Sequence, residues 1–303
     1  MATPSKSSPN LDIFNLRDSI LNNYWDYINS FLNIRDARVY DFVQKELNKG
    51  ELWPDPLVQL NPSYAPGASL QTLIQEQVLH PDCLDYFRNK DTGESFQLRY
   101  HQEQAFRLAA RCLAYILTTG TGSGKSLTYV APIFSDLLQH PEIQGVRAIL
   151  VYPMNALINS QTGELEKFLS NVPDSPIRIG QYTGQEKTER KIEIQNNPPH
   201  ILLTNYVMLE LMLSRNMEDK LVSSPDLKFL VLDELHTYQG RQGADVSLLI
   251  RKLRQRCGQE LVCIGTGATM STEGDRLQRK ATVADVASKL FGTEIKPDQV
   301  TVS

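Results

Sequence analysis

The sequence predicts an α/β protein with a parallel sheet, preceded by a helical N-terminal segment. Three observations carry this. Short apolar runs recur between residues 114 and 266, with helix-like stretches between them. Repeated strand–helix units of that kind build a parallel sheet covered on both faces. The run Leu227–Leu232 (LKFLVL) is nearly continuously apolar, as a strand buried on both faces must be. A glycine-rich turn, Gly120 to Gly124, stands between one such strand and a helix-like run.

Residues 1–96 read as a helical accessory segment with a proline-rich connector. Ile13, Leu16, Ile20, Tyr24, Ile28 and Phe31 recur at helical spacing. Asp36 is placed to cap a second helix that buries Val39, Phe42, Val43 and Leu47, and Gly50 closes it. Pro54, Pro56, Pro62 and Pro66 then make the chain extended. Trp53 and Tyr64 are read as pins that hold this connector to the core; stacking on bases is the alternative. Ser69 to Leu79 is a short helix.

Residues 97–303 form the main domain. Strands are expected at 114–118, 148–152, 178–182, 201–204, 229–232 and 261–266, with helices between them. Val246, Leu249, Ile250, Leu253 and Cys257 share the inner face of one helix. Arg251, Lys252, Arg254 and Arg256 lie on its other face, expected to be solvated. A last helix is expected at 273–290.

Composition narrows the function classes. The chain has 303 residues, 41% of them hydrophobic and 22% charged, which is ordinary for a globular protein. A net charge of −4 argues against a wholly basic nucleic-acid coat but leaves room for a local groove. Cys83, Cys112, Cys257 and Cys263 lack metal-ligand spacing. Cys112 and Cys263 adjoin apolar runs and are expected to be buried thiols, which fits a reducing cytoplasm. The polar start MATPSKSSPN has no apolar signal core. No apolar run approaches the roughly 20 residues that span a bilayer, so no membrane partner is expected.

Two motifs carry the chemistry. The first is Thr119-Gly120-Thr121-Gly122-Ser123-Gly124-Lys125-Ser126, between the strand ending at Thr118 and the helix-like run from Leu127. Strand, glycine-rich turn, Lys-Ser and helix is the layout of a phosphate-binding P-loop. The glycines let several backbone N–H groups point at one anion, and the helix adds its positive dipole end. Lys125 reaches the β- and γ-phosphates, and Ser126 ligates Mg²⁺. The strict pattern has Gly where this chain has Thr119. The second motif is Asp233-Glu234-Leu235-His236, at the end of the Leu227–Leu232 strand. The C-terminal ends of parallel strands face the ligand crevice of an open sheet. There Asp233 holds Mg²⁺ and Glu234 activates the attacking water. The expected cofactors are ATP and Mg²⁺.

These motifs and their order resemble the superfamily 2 DExH-box helicases over about Leu98 to Lys289, and the run from His236 through Tyr238-Gln239-Gly240-Arg241 to Arg254 most resembles the Lhr-like and mitomycin-repair-factor-type members. Asp233-Glu234-Leu235-His236 looks like motif II. Arg99-Tyr100-His101-Gln102 resembles the segment whose Gln recognises adenine, here Gln102. Val151 to Leu157 resembles motif Ia, Tyr182-Thr183-Gly184 motif Ib, and Leu203 to Leu209 the next strand-contacting loop. Gly267-Ala268-Thr269 resembles motif III, which couples hydrolysis to strand movement, and His236 links the nucleotide to it. The resemblance implies a first RecA-like lobe. It implies nucleic-acid contacts by Pro153, Asn155, Thr183, Gly184, Thr204 and Asn205, with DNA preferred to RNA. Asn155 stands where motif Ia often has Arg, and Gly267 where motif III usually has Ser.

The motors of this family need a second RecA-like lobe bearing an arginine finger. No residues after motif III provide one, so a fragment, a split gene or a truncated frame is expected, with the second lobe encoded downstream or separately. The implied function is the ATP-binding lobe of an ATP-dependent helicase or translocase. The alternative is a non-catalytic module that binds ATP or nucleic acid. A P-loop ATPase that ignores nucleic acid would lack the Pro153, Thr183 and Thr204 series.

Overall fold

The computed structural model describes residues 12–31, 33–47, 49, 64–90, 92–120, 122–257, 261–267 and 275–302. The chain divides into two units, residues 1–62 and 63–303. The boundary thus falls earlier than residue 96. The reason is burial. Leu70, Leu73, Cys83, Tyr86 and Phe87 are all buried in the core of the second unit.

The first unit contributes α1 (Ile13–Phe31) and α2 (Ala37–Leu47). Asp36 caps α2 as expected, accepting from the Arg38 amide at 2.9 Å. The Gln44 amide donates to Asn29 Oδ1 at 2.7 Å and ties the two helices. The expected buried face is not formed. Phe42 is 62% exposed and Ile13 70%, and neither helix has a buried residue. Helical spacing shows that apolar side chains share a stripe, not that anything covers it. The connector around Gly50 and Trp53 lies outside the described residues.

The second unit begins with α3 (Leu70–Gln75), α4 (Cys83–Tyr86) and α5 (Tyr100–Ala110). Ser69 caps α3 by accepting from the Thr72 amide. Strands and helices then alternate: β1 (Tyr115–Thr118), α6 (Leu127–Gln139), β2 (Ala148–Tyr152), α7 (Asn155–Leu169), β3 (Ile179–Gln181), α8 (Thr188–Asn196) and β4 (Ile201–Asn205). They continue with α9 (Tyr206–Ser214), α10 (Asp219–Val222), β5 (Phe229–Leu232), α11 (Gly240–Cys257), β6 (Val262–Gly267), α12 (Arg276–Phe291) and β7 (Val300–Val302). The seven strands form one sheet in the order β3-β4-β2-β5-β6-β1-β7, and every pairing is parallel. The six strands expected from sequence are all present. The seventh, β7, was missed, although the β-branched Val300-Thr301-Val302 suits a strand.

The strands alternate between two cores, as a period of two requires. Ile149, Val151, Leu230 and Leu232 face one, packed with residues of α9, α11 and α12. Ala148, Leu150, Tyr152, Phe229 and Val231 face the other, packed with α5, α6 and α7. Two expectations outside the sheet need correction. Cys112 is exposed, because α5 ends at Ala110 and the chain reverses through Cys112 at φ 54°. Cys263 is buried, and burial pushes its thiol up to about 12. The basic side of α11 is not simply solvated. Arg254 donates to the carbonyls of Phe291 and Gly292, and Arg251 to that of Lys289. Both guanidinium groups therefore cap the C-terminus of α12, where the carbonyls lack helical partners. Among the described residues, no helix is long and apolar enough to cross a membrane.

At the N-terminal edge of the sheet lies one buried charge cluster. Asp136 accepts from Arg147 Nε at 2.6 Å and from Lys228 Nζ at 2.6 Å. Burial alone would raise the Asp136 carboxyl, but the hydrogen bonds and charges of Arg147 and Lys228 bring it below the usual 3.8. A lowered folded-state value stabilises the protein above pH 3.8, and that contribution is lost as the pH falls further. Asp136→Asn is expected to cost about 3 kcal/mol at pH 7, because two cations lose their buried partner. The gap between parent and variant should narrow below about pH 4, as urea denaturation at several pH values would show.

Candidate nucleotide site and strand-facing cleft

Because the strands are parallel, the loops following β1, β2, β4 and β5 all open at one edge. The loop after β1 is Thr119–Ser126. Gly122 and Gly124 have φ of 73° and 72°, a left-handed conformation that a side chain would strain. A Cβ on Gly124 would also stand 2.7 Å from Gln102 Nε2. Thr119, the departure from the strict pattern, is fully buried, and its hydroxyl bonds that of Ser123 at 2.6 Å across the loop. Lys125 Nζ donates to the Thr119 carbonyl at 3.1 Å, so the ammonium folds over its own loop. Thr121 lies outside the described residues.

Three consecutive loop carbonyls are held from one direction. Arg99 Nη1 donates to Gly122 O at 2.8 Å, His101 Nε2 bonds Ser123 O at 2.9 Å, and Gln102 Nε2 donates to Gly124 O at 3.0 Å. Gln102 Oε1 also accepts from the Arg99 amide at 2.9 Å, closing the first turn of α5. Both polar ends of Gln102 are thereby engaged within the protein. The Arg99 guanidinium lies 4.5 Å from the Tyr64 ring centroid, and His101 meets the same ring edge-on at 5.3 Å. Tyr64 therefore pins the chain to this region. Burial, opposed by the Ser123 hydrogen bond, lowers the His101 imidazole and favours its neutral form.

The loop after β5 carries the acidic pair. Asp233 accepts a hydrogen bond from the Thr266 hydroxyl of β6. Burial raises its carboxyl, while Thr266 and Lys125 pull the other way. Glu234 is not a glycine, yet it sits at φ 53°, ψ 51°, in the left-handed region. Such strain persists only where the surroundings enforce it. Part of that enforcement is Gly265, where an added Cβ would lie 2.0 Å from Leu235 Cδ1. The missing side chain lets the acidic turn sit directly on β6. Gly267 does the same at the strand end, with its Cβ position 3.2 Å from the Leu235 amide. His236 Nδ1 is 3.2 Å from Glu234 Oε2, without hydrogen-bond alignment. The expected coupling residues Ala268 and Thr269 lie outside the described residues. Thr266 is a contact that sequence reading missed, and it gives Asp233 a hydroxyl although Gly267 has none.

Ser126 and Asp233 both offer oxygen. Mg²⁺ favours such hard donors and needs only one or two carboxylates when phosphates complete its shell. No cluster of three or more His, Cys, Asp or Glu residues fit for a metal occurs among the described residues.

Four of the six residues expected to meet nucleic acid line one cleft of about 360 Å³. They are Pro153, Asn155, Gly184 and Asn205, joined by Tyr206 and Val207. Asn205 caps α9 through the Met208 amide at 2.8 Å and donates to Asn155 Oδ1 at 2.8 Å. The other two are buried behind the cleft. The Thr204 hydroxyl donates to the Tyr182 carbonyl at 2.7 Å, and Thr183 accepts from the Gln185 amide at 3.2 Å. Tyr206 and Val207, at the start of α9, carried no sequence signal for the cleft.

Residues 99–277 match the DEAD/DEAH box helicase family. The Druantia protein DruE of Escherichia coli (strain UMEA 4076-1) is 26% identical over 96% of this chain and 22% of its own length. An uncharacterized ATP-dependent helicase of Methanocaldococcus jannaschii, MJ1574, is 31% identical over 61% of this chain and 28% of its own. Among solved structures, the DUF1998 helicase MrfA bound to DNA superposes with a TM-score of 0.64 at 24% identity, over 83% of this chain and 31% of that one. The chain therefore spans between a fifth and a third of the length of these relatives. The match of 99–277, on a parallel sheet that brings the glycine loop and the acidic pair to one edge, shows that the chain belongs to the DEAD/DEAH box helicase family.

Proposed function

We propose that residues 63–302 bind Mg-ATP and act as the nucleotide-hydrolysing lobe of a DNA helicase or translocase. The observation that carries this reading is convergence. Lys125 and Ser126 after β1 share one sheet edge with Asp233 and Glu234 after β5, and the Lys125 charge acts on Asp233. In this reading the loop amides of 119–126 cradle the phosphates and Lys125 neutralises them. Ser126 and Asp233 hold Mg²⁺, which supplies charge neutralisation and orientation when bound. Glu234 orients the attacking water and takes its proton. His236, beside Glu234 and under Gly267, transmits the state of the site toward β6.

The cleft of Pro153, Asn155, Gly184 and Asn205 is the proposed strand contact. Its side chains are uncharged, so its contacts would be hydrogen bonds to sugar and phosphate with little base reading. DNA is preferred to RNA because the structural neighbour MrfA is DNA-bound by its description. The cytoplasm is the proposed compartment, supported by four free cysteines. The second reading is a module that binds ATP without turning it over. It is supported by the commitment of Arg251 and Arg254 to the end of α12. A finger arginine would then have to come from a second lobe.

Three outcomes are expected. Lys125→Ala should abolish Mg-ATP binding in calorimetry, since the phosphates lose the loop's cation; equal affinity of variant and parent would remove the nucleotide assignment. Asp233→Asn should also end Mg²⁺-dependent binding, yet raise the melting temperature of the nucleotide-free protein by about 2–4 °C, because a buried carboxylate worth about 1 kcal/mol of desolvation is neutralised while the Thr266 bond keeps its acceptor. The 303-residue chain alone should bind ATP but release phosphate slowly, since an arginine finger is worth about 10³–10⁵ in rate. Steady-state phosphate release with and without single-stranded DNA, with Glu234→Gln as the blank, measures this. Fast strand-stimulated turnover lost in that variant would show that one lobe suffices.

A further inference from the structure

Ser126 occupies the turn between Lys125 and α6, and its backbone is already helical, at φ −57° and ψ −37°. The direction of its hydroxyl is therefore limited to a few staggered positions. A serine hydroxyl carries one proton and two lone pairs. Here the proton is donated to Gln161 Oε1 at 2.8 Å. Gln161 belongs to a different element, α7, on the helix layer that also holds α6. With the proton directed to Gln161, a lone pair of Ser126 stays available to a cation, beside the Tyr129 hydroxyl that also lies within hydrogen-bond reach of Ser126.

The chemistry of a metal ligand makes this acceptor consequential. A hydroxyl bound to a divalent cation becomes more acidic and donates more strongly, so the group that takes its proton orients the ligand. Gln161 is suited to the task because an amide oxygen accepts without adding a second negative charge beside Asp233. The other hard donor is held in the same manner, by the Thr266 hydroxyl of β6 on Asp233. Gln161 and Thr266 thus each hold one of the two donors from another element. The α7 helix also begins at Asn155, in the strand-facing cleft, so the residue that steadies the metal ligand and a residue of the cleft share one rigid helix.

We propose that Gln161 is a positioning residue for the nucleotide-bound divalent cation, acting through Ser126 by accepting its hydroxyl proton. The proposal rests on the nucleotide reading given above. It assigns no contact between Gln161 and ATP. Loss of the acceptor therefore weakens the metal's hold and leaves metal-free nucleotide binding alone. A partner of this kind is worth about 10–100-fold in metal affinity.

The test is ATP binding to the 303-residue chain by calorimetry, across a Mg²⁺ titration and again in EDTA. The variants are Gln161→Met, Gln161→Glu, Ser126→Ala and the double variant Ser126→Ala with Gln161→Met. Gln161→Met is expected to raise the Mg²⁺ concentration for half-maximal binding by about 10-fold or more, with binding in EDTA unchanged. Gln161→Glu keeps an acceptor oxygen and has no N–H, so it should retain the parental Mg²⁺ requirement or lower it. In the Ser126→Ala background, Gln161→Met should add nothing. Gln161→Ala removes the same acceptor and serves if the Met variant does not fold. A parental Mg²⁺ requirement in the acceptor-free variants would overturn the proposal. So would equal losses with and without Mg²⁺, or an effect that adds fully to Ser126→Ala. If the parent binds no ATP, the nucleotide reading fails and this proposal with it. If the parent binds with Mg²⁺ dependence and Gln161→Met behaves identically, the positioning role alone fails.

Discussion

Parallel pairing is the constraint on which the molecule depends. Strands that run the same way cannot be joined by tight turns, so each must be followed by a crossover long enough to hold a helix. Those helices cover both faces of the sheet, and the strands must then be apolar on both sides. The alternation of Ile149 and Val151 toward one core, and Leu150 and Tyr152 toward the other, is the result. The same constraint gathers the loops after β1, β2, β4 and β5 at one edge. Segments far apart in sequence, such as 119–126 and 233–236, meet there without any contact specifying them pairwise. The opposite edge carries the Asp136 cluster, which serves packing and contains no residue of the candidate site.

Within that frame the glycine loop is shaped from outside. The carbonyls of Gly122, Ser123 and Gly124 accept hydrogen bonds from the side chains of Arg99, His101 and Gln102. Ser123 is fully buried, so its polar groups need partners inside the protein. The Tyr64 ring lies against the Arg99 guanidinium and meets His101 edge-on, so a segment preceding the main motifs helps to hold the loop. Gln102 has its amide nitrogen on Gly124 and its amide oxygen on Arg99 in this state. In the proposed reading, an adenine that used the same groups would compete with the clasp and so would couple base binding to loop geometry.

The three departures from the family pattern each have a local answer in the structure. Thr119 fits because its hydroxyl closes the loop on Ser123. Gly267 brings the end of β6 against the acidic turn, and the neighbouring Thr266 gives Asp233 a hydroxyl. Asn155 forgoes a cation but pairs with Asn205 across two helix starts, making the cleft neutral and hydrogen-bonding in character. The cleft therefore suits contacts that fall only weakly with salt, in contrast to a lysine- or arginine-lined groove.

Much of this was determined by the sequence alone. Apolar periodicity marked six of the seven strands, and the order of short motifs marked the glycine loop, the acidic pair and the loops that line the cleft, because these depend on residue type and local spacing. Other features were decided only by tertiary structure. The resemblance named Thr183 and Thr204 together with Pro153, Asn155, Gly184 and Asn205, whereas the fold buries the two threonines and leaves the other four lining one cleft. The basic face of α11 became a cap for α12, and the stripes of α1 and α2 stayed exposed. Gln161 and Thr266 carried no sequence signal, because a hydrogen bond between side chains 35 or 33 residues apart exists only once the sheet has set their elements side by side. Local chemistry is written along the chain, but which groups face a cavity, a carbonyl or one another depends on the register and order in which the strands pair.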